Sequence, residues 1–436
     1  MEFNRRIIEF FELWRNKKER KPLIVRGARQ VGKTSAILLF AKKHFDNLVY
    51  INLEKAEHGR LFNRELSLGE FKQIINVHFG KTLIPGQTLL FIDEIQESPY
   101  LLKLLRFFYE DMPGLHVISA GSLFEVKIKE AGIALPVGRI EFAHLFPLDF
   151  FEFLEAIGEI DSLKFLNNFD FAGKIPAALH DKFLKLFYEY VLIGGMPEAV
   201  KIYAQTKNVQ AVNLVYSNLL TSLKEDIYKY SSASSGKYLS FVLDQAPLFA
   251  GQSVTYEKFA GSNYKSREIH KSFDTLSLAL IINQIKATKS FTLPLIPQQK
   301  KAPKLVFLDV GLVNYQMGIQ KEFINLSDLN ALYQGRIAEQ VVGQQLLASF
   351  VQVPAKIYYW YKKYPSEAEV DFCLSGQSQI IGIEVKSGSS GRLKSAYQFM
   401  KTVKNSRALR IYSGEFKATD KFISLPFYLL PRWQEI

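Results

Sequence analysis

Residues 22–34 read Pro22-Leu23-Ile24-Val25-Arg26-Gly27-Ala28-Arg29-Gln30-Val31-Gly32-Lys33-Thr34, a short apolar run followed by G-x-x-x-x-G-K-T. Continuous apolar character predicts a strand covered on both faces, and therefore a parallel sheet. The loop after it predicts backbone N–H groups curled around phosphate oxygens, with the N-terminus of the next helix adding a favourable dipole. In such a loop Lys33 is expected at the β- and γ-phosphates and the Thr34 hydroxyl at Mg²⁺. The expected nucleotide-binding set is Gly27, Ala28, Arg29, Gln30, Val31, Gly32, Lys33, Thr34 and Ser35, and the expected cofactors are ATP and Mg²⁺.

Working outward, Asn47–Leu53, Thr88–Ile92 and Leu115–Ser119 repeat the apolar run and give a set of four strands. The third ends in Asp93-Glu94. Asp93 is expected to hold Mg²⁺ through water, and Glu94 to polarise the attacking water. The fourth runs into Ser119-Ala120-Gly121-Ser122, where Ser119 or Ser122 either senses the γ-phosphate or caps the next helix. Arg139 is a candidate arginine finger, acting in cis or on a neighbouring subunit, and so carries the expectation of a homo-oligomer. Arg26 and Arg29 lie closer in sequence to the loop and either take that role or pack the loop.

Composition sets the outer limits. A chain of 436 residues predicts two to four domains, and 48% hydrophobic with 22% charged residues is enough to build cores. Its lone cysteine, Cys373, excludes an internal disulfide framework and fits a reducing compartment. The seven histidines lack paired spacing, which argues against a zinc site. No apolar stretch approaches the roughly 20 residues that cross a bilayer, so no membrane partner is expected and the expected location is the cytoplasm. A net charge of +12 favours polyanions, whether nucleic acid, ATP or an acidic surface.

Beyond residue 150 the pattern turns helical, with Phe150, Phe151, Phe153 and Leu154 opening one stripe and Phe183, Leu184, Phe187, Tyr190 and Val191 another. These stripes read as core. Gly194-Gly195-Met196-Pro197 separates two such helices, and Ser231–Gly236 reads as a linker. Residues 254–260 as a short helix, a turn, and a longer helix from Ser266 through Leu280 resemble a helix-turn-helix within a winged-helix domain. In ATPases such a unit serves packing as often as DNA.

The second informative stretch is Ala368-Glu369-Val370-Asp371-Phe372-Cys373-Leu374, a turn, and Ile380-Ile381-Gly382-Ile383-Glu384-Val385-Lys386. Side chains alternate along a strand, so Glu384 and Lys386 share a face, and Asp371 converges with them across the hairpin. Asp371 and Glu384 are candidate Mg²⁺ ligands, with Lys386 activating water for phosphodiester hydrolysis. Glu339 and Gln398 on flanking helices are candidate contributors. The plainer reading is a surface hairpin with a salt bridge. Residues 296–436 carry 18 Lys and Arg against 11 Asp and Glu. Arg392, Lys394, Lys401, Lys404, Arg407 and Arg410 crowd behind the hairpin, either along a phosphate backbone or on a solvated helix face.

Taken with Phe91–Gln96, Ala120–Leu123, Pro136–Arg139, Gly194–Glu198, Leu308–Leu312 and Glu384–Gly388, the chain resembles a prokaryotic family of AAA-type P-loop ATPases with a C-terminal domain of unknown function. That C-terminal part resembles the restriction-endonuclease-like PD-(D/E)XK fold, although Val370 rather than proline precedes Asp371. The resemblance implies an α/β multidomain chain: a P-loop AAA-like domain over 1–150, a helical lid over 151–235, a winged-helix-like domain over 236–295 and a nuclease-like α/β domain over 296–436. It implies ATP binding and hydrolysis, with DNA or another nucleic acid as a candidate partner. The alternative is a nucleotide-dependent scaffold that binds without cutting.

Overall fold

A computed structural model describes residues 3–130, 132–133, 135–136, 138–229, 233–319, 335–353, 356–364, 367–376, 378–386, 388 and 393–436. Ser231 and Ser232 of the expected linker, Val137, Ser387 and Arg392 lie outside the described residues. The chain divides into two compact units. The first holds Met1–Phe146 with Leu278–Leu280 and Phe350–Pro354, and the second holds Pro147–Ser277, Ile281–Ser349 and Ala355–Ile436.

In the first unit β1 (Leu23–Arg26), β2 (Asn47–Asn52), β3 (Thr88–Asp93), β4 (His116–Gly121) and β5 (Glu141–His144) form one sheet in the order β2-β3-β4-β1-β5. Every neighbouring pair is parallel. The helices are α1 (Arg6–Arg15), α2 (Lys33–His44), α3 (Ala56–Leu61), α4 (Leu68–His78), α5 (Pro99–Asp111) and α6 (Phe124–Glu130). On one face Ile24, Val49, Ile51, Leu90, Ile92 and Val117 pack against Phe71, Ile75, Leu101, Leu105 and Phe108. Each such side chain stabilises by about 1.5–3 kcal/mol when fully buried. Local signals start the helices cleanly. Ser67 and Glu70 form a reciprocal capping box on α4, and Ser98 caps α5 ahead of Pro99.

The sheet has five strands, one more than the apolar runs predict. β5 is four residues long, carries Glu141 and His144, and is half-buried at its start, so it offers no continuous apolar run.

The second unit opens with α7 (Phe150–Ala156), α8 (Ile160–Asn167), α9 (Ala177–Ile193), α10 (Pro197–Thr206), α11 (Val209–Lys229) and α12 (Ala233–Gln245). The chain is helical over most of 151–235 as expected, and the break at 194–197 falls between α9 and α10, but α12 begins at Ala233 within the expected linker and runs past the expected boundary at 235/236. The expected short helix at 254–260 is absent. Residues 251–254 instead run beside β7 (Lys304–Phe307), with Gly251 N donating to Leu305 O at 2.8 Å and Val254 N to Pro303 O at 2.9 Å. Only a 3₁₀ turn at Phe259–Gly261 follows before α13 (Ser266–Leu278). On α13, Arg267 and Lys271 are offset by Glu268 and Asp274, so the helix has no basic surplus for a phosphate backbone.

After α13, β6 (Ile282–Thr288) pairs antiparallel with β7 and parallel with β8 (Tyr358–Lys362). The expected boundary at 295/296 thus falls inside a hairpin that is built into a larger sheet. That sheet also contains β9 (Ala368–Ser375), β10 (Ile380–Lys386), β11 (Ser406–Tyr412), β12 (Lys417–Ala418) and β13 (Phe422–Pro426), in the order β12-β13-β11-β10-β9-β8-β6-β7. Strands β8, β9 and β10 form an antiparallel meander. A crossover through α16 (Lys394–Thr402) then places β11 parallel to β10.

Two further helices, α14 (Val310–Met317) and α15 (Arg336–Ala348), help enclose a polar knot around the fully buried Asp309. Its Oδ1 accepts from Gly311 N at 3.0 Å, Leu312 N at 3.2 Å and Tyr216 Oη at 3.3 Å, and Oδ2 from Gly195 N at 2.7 Å and Gln344 Nε2 at 3.1 Å. Gly194 has φ of 76°, and a Cβ there would lie 2.2 Å from Asp309 Oδ1. The motifs at 194–198 and 308–312 are therefore the two halves of one internal packing device. Among the described residues no helix is long and apolar enough to cross a membrane.

Candidate nucleotide site and carboxylate cluster

β1 ends at Arg26 in the interior of the first sheet, and the chain turns through 27–32 into α2. Two features make the turn a close cradle. Gly32 has φ of 95°, and a Cβ on Gly27 would lie 2.4 Å from Leu145 O. Lys33 is buried, and its Nζ donates to Gly27 O and Ala28 O at 2.9 Å each. Burial pulls its pKa down, against the pull of Glu94 and Asp93. Thr34 and Ser35 follow on the first turn of α2, with Ser35 exposed.

β3 delivers the acids to the same place. Thr34 Oγ1 donates to Asp93 Oδ2 at 2.8 Å, and Tyr50 Oη donates to that oxygen at 3.1 Å. Burial pushes the Asp93 pKa up, and the Thr34 hydrogen bond opposes it. Glu94 takes a left-handed conformation, φ 53° and ψ 46°, which turns its side chain out of the strand direction. Its Oε2 accepts from Ser122 N at 3.1 Å, from Ser122 Oγ at 3.0 Å and from Gln96 Nε2. Gly121 leaves room for this, since a Cβ there would meet Gln96 Oε1. Tyr50 carries no motif signal and Gln96 falls in the stretch Phe91–Gln96 without a role of its own, because ordinary polar residues beside the acids declare themselves only in three dimensions. Ser119 is buried with no hydrogen-bond partner for its hydroxyl, so the serine that engages Glu94 is Ser122.

The arginines sort by position. Arg26 pairs with Glu125 at 2.6 Å and stacks over Phe142 at 3.6 Å. Arg139 lies at the opposite end of the sheet from the loop. It precedes Glu141, which pairs with the first residue of β1, and its Nε donates to Glu110 Oε1 at 2.8 Å near the end of α5. The cis arginine-finger expectation is therefore corrected, because a strand length separates Arg139 from Lys33.

The carboxylate cluster belongs to the second unit. Ile383 pairs with Phe372, so the next residues outward, Glu384 and Asp371, stand opposite each other on one face. Lys386 Nζ donates to Glu384 Oε1 at 2.6 Å, and Val385 N donates to Asp371 Oδ2 at 2.8 Å. The sequence reading missed Lys304. Its buried ammonium lies 3.0 Å from Asp371 Oδ1, 3.0 Å from Glu339 Oε2 and 3.1 Å from Glu369 Oε1. The local signal for it, one lysine at the start of β7, is no different from any other strand-end lysine.

Burial, and then the Asp371 charge, pushes Glu339 up to about 8 and Glu384 up to about 7. Burial works against the Lys304 ammonium, but Asp371, Glu339 and Glu369 together hold it well above its ordinary range. Glu384 Oε2 is buried with no donor among the described residues. Among the described residues no three His, Cys, Asp or Glu side chains are arranged to hold a metal ion. The expected pair of metal ligands faces one another, and the ammonium of Lys304 sits against one of them. Behind the hairpin Lys394, Lys401 and Lys404 are exposed, whereas Arg410 stacks over Tyr412 at 3.8 Å and donates to Ser424. Gln398 is half-buried on α16.

Residues 19–154 match the sequence profile of an AAA domain, 184–322 match a domain of unknown function (DUF8612), and 334–428 match another (DUF4143). The first unit thus contains an AAA-type P-loop nucleotide-binding domain. No curated protein matches the chain. Similar solved structures include the Thermotoga maritima RuvB Holliday junction branch migration motor, at 14% identity over 68% of this chain and 93% of that one, TM-score 0.30. The Aeropyrum pernix Orc1 protein in complex with DNA matches at 12% identity over 73% and 91%, TM-score 0.26. PCH-2 of C. elegans matches at 11% over 47% and 62%, TM-score 0.28. Superpositions this loose carry no argument about function.

Proposed function

We propose that this chain binds ATP with Mg²⁺ at residues 27–35 and hydrolyses it, with Glu94 as the general base. The observation that carries the reading is the 2.8 Å hydrogen bond from Thr34 Oγ1 to Asp93 Oδ2, which joins the loop to the acidic strand end. The donor set fits the cofactor, since a hydroxyl and a carboxylate side by side offer the hard oxygen ligands that Mg²⁺ takes. Bound Mg²⁺ would be held by Thr34 directly and by Asp93 through water, and would neutralise charge building on the phosphates. Lys33 sits inside the loop with its ammonium parked on the Gly27 and Ala28 carbonyls, from which a phosphate would draw it, and Glu94 is aimed by Ser122 and Gln96. Arg139 acts, in this reading, only on a neighbouring copy of the chain. The test is titration of a fluorescent ATP analogue with Mg²⁺. Lys33→Ala should weaken binding by at least about tenfold, the loss of one charge-assisted phosphate contact. Unchanged affinity and turnover would remove the assignment.

For the second unit the reading is a Mg²⁺-dependent site for nucleic-acid phosphodiesters, built on Asp371, Glu384 and Lys386. What supports it is the cross-strand placement of Asp371 and Glu384, the unpaired Glu384 Oε2, and the meander-crossover topology that carries them. Bound metal would supply Lewis acidity, and Lys386 would orient the attacking water. The close approach of Lys304 favours a second reading, in which this unit binds nucleic acid or protein as an ATP-dependent scaffold and does not cut. Cleavage of single- and double-stranded DNA with Mg²⁺ or Mn²⁺, with and without ATP, separates the two. We place the protein in the cytoplasm, in keeping with its single buried thiol.

A further inference from the structure

The cluster in the second unit contains Glu339, Glu369, Asp371 and Glu384 against Lys304 and Lys386, a formal surplus of two negative charges when all six are ionised. Buried charge of one sign is strongly disfavoured unless bound protons or a counter-ion supply the balance. The oxygen inventory shows where that ion would go. Asp371 Oδ2 is used by Val385 N, Glu384 Oε1 by Lys386, and Glu384 Oε2 by none of the described residues, although the residue is only 5% exposed. A cation bridging the two strands needs Glu384 Oε2 and the remaining oxygen of Asp371. That oxygen, Oδ1, is held by Lys304 at 3.0 Å.

We propose that Lys304 is an exchangeable internal counter-ion whose ammonium competes with a divalent metal for Asp371 Oδ1, so that the metal site opens only when Lys304 lets go. This rests on the reading of Asp371 and Glu384 as metal ligands. The chemistry is a swap of one monovalent cation for a hard divalent one on the same carboxylate, with no bond made or broken. Lys304 is placed for it. It begins a four-residue strand at the sheet edge, and one of its anchors, Glu369, has a side chain 43% exposed. Its (CH₂)₄ stem is long enough for the ammonium to shift while the backbone stays paired.

Three measurements on the full chain test this. Mn²⁺ binding is followed by electron paramagnetic resonance in wild type and in Lys304→Met, which keeps the length of the side chain and drops the charge. The variant should bind Mn²⁺ at least about tenfold more tightly, and Asp371→Asn added to it should abolish the gain. Thermal melts with and without Mn²⁺ show that the variant is folded, and a larger metal-induced rise in Tm than in wild type supports the swap. Because Lys304→Met leaves the cluster more negative and therefore less stable without metal, wild type supplies an independent readout. Amine acylation read by mass spectrometry should label Lys304 more when Mn²⁺ is present than when it is absent. Equal Mn²⁺ affinity in the two proteins, or labelling that ignores the metal, overturns the competition. If neither protein binds Mn²⁺, the metal reading falls together with the competition.

Discussion

Replacing Glu94 with glutamine removes the proposed base while preserving shape, and the local hydrogen bonds dictate how the amide must sit. Three donors, Gln96 Nε2, Ser122 N and Ser122 Oγ, converge on Oε2. The glutamine oxygen is the only one of its two terminal atoms that can accept from them, so the NH₂ faces the side from which water attacks and cannot take a proton. A positioned general base contributes about 10²–10⁴-fold, or about 3–5 kcal/mol at roughly 1.4 kcal/mol per decade. Glu94→Gln should therefore lower single-turnover ATP hydrolysis by that factor, while ATP affinity stays within about twofold because Lys33, Thr34 and Asp93 are untouched. Ser122→Ala removes one of the three tethers and should cost about 1.5 kcal/mol, roughly tenfold in the same rate and little in affinity. Phosphate release from radiolabelled ATP gives the rate, and titration of a fluorescent analogue gives the affinity. Turnover of Glu94→Gln within threefold of wild type would refute the role of Glu94. A fall in Ser122→Ala that tracks lost ATP affinity would refute the aiming role of Ser122.

Two further outcomes follow from burial. Asp309→Ala leaves the N–H groups of Gly195, Gly311 and Leu312 without their acceptor and should destabilise the second unit by about 3–5 kcal/mol, seen as a lower denaturant midpoint; a change under 1 kcal/mol would mean the knot is not structural. Burial holds the His116 and His144 imidazoles neutral, with pKa down to about 4. The unfolded chain takes up those protons near 6.5 and the folded one does not, so stability is full above about pH 6.5 and is lost as pH falls toward 4. For His144 this amounts to about 2 kcal/mol between pH 6.5 and 5, and His144→Gln should flatten the slope of urea midpoint against pH. An unchanged slope would exclude that histidine.

What the sequence makes legible depends on how local the signal is. Gly27–Thr34 and Asp93-Glu94 announce the proposed nucleotide site because phosphate binding needs contiguous backbone and a strand end, both encoded within a few residues. Asp371 and Glu384 are likewise readable through strand alternation and a short hairpin. β5 escapes because a four-residue strand bearing charge looks like loop. The helix expected at 254–260 fails because 251–254 is extended by pairing with β7, some 50 residues away. Lys304 and Tyr50 escape for a similar reason, since their partners are distant in sequence and the residues themselves are commonplace. The cis role expected of Arg139 misleads because proximity along the chain to the other motif residues does not say which end of a strand a side chain occupies.

The knot around Asp309 also has a consequence in time. Its donors come from Gly195, 114 residues upstream, Tyr216, 93 residues upstream, and Gln344, 35 residues downstream. During synthesis the helices from residue 150 onward emerge long before Asp309, and the last donor arrives only when α15 has left the ribosome. Until then the glycine turn at 194–195 has no anion to close on. Contacts this far apart also fold slowly, because the intervening chain must be ordered before any of them is rewarded. The second unit should therefore lock as a whole and late. A nascent chain stopped before residue 344 is expected to remain open to proteolysis across its helices, and one released beyond α15 to become resistant over all of them together.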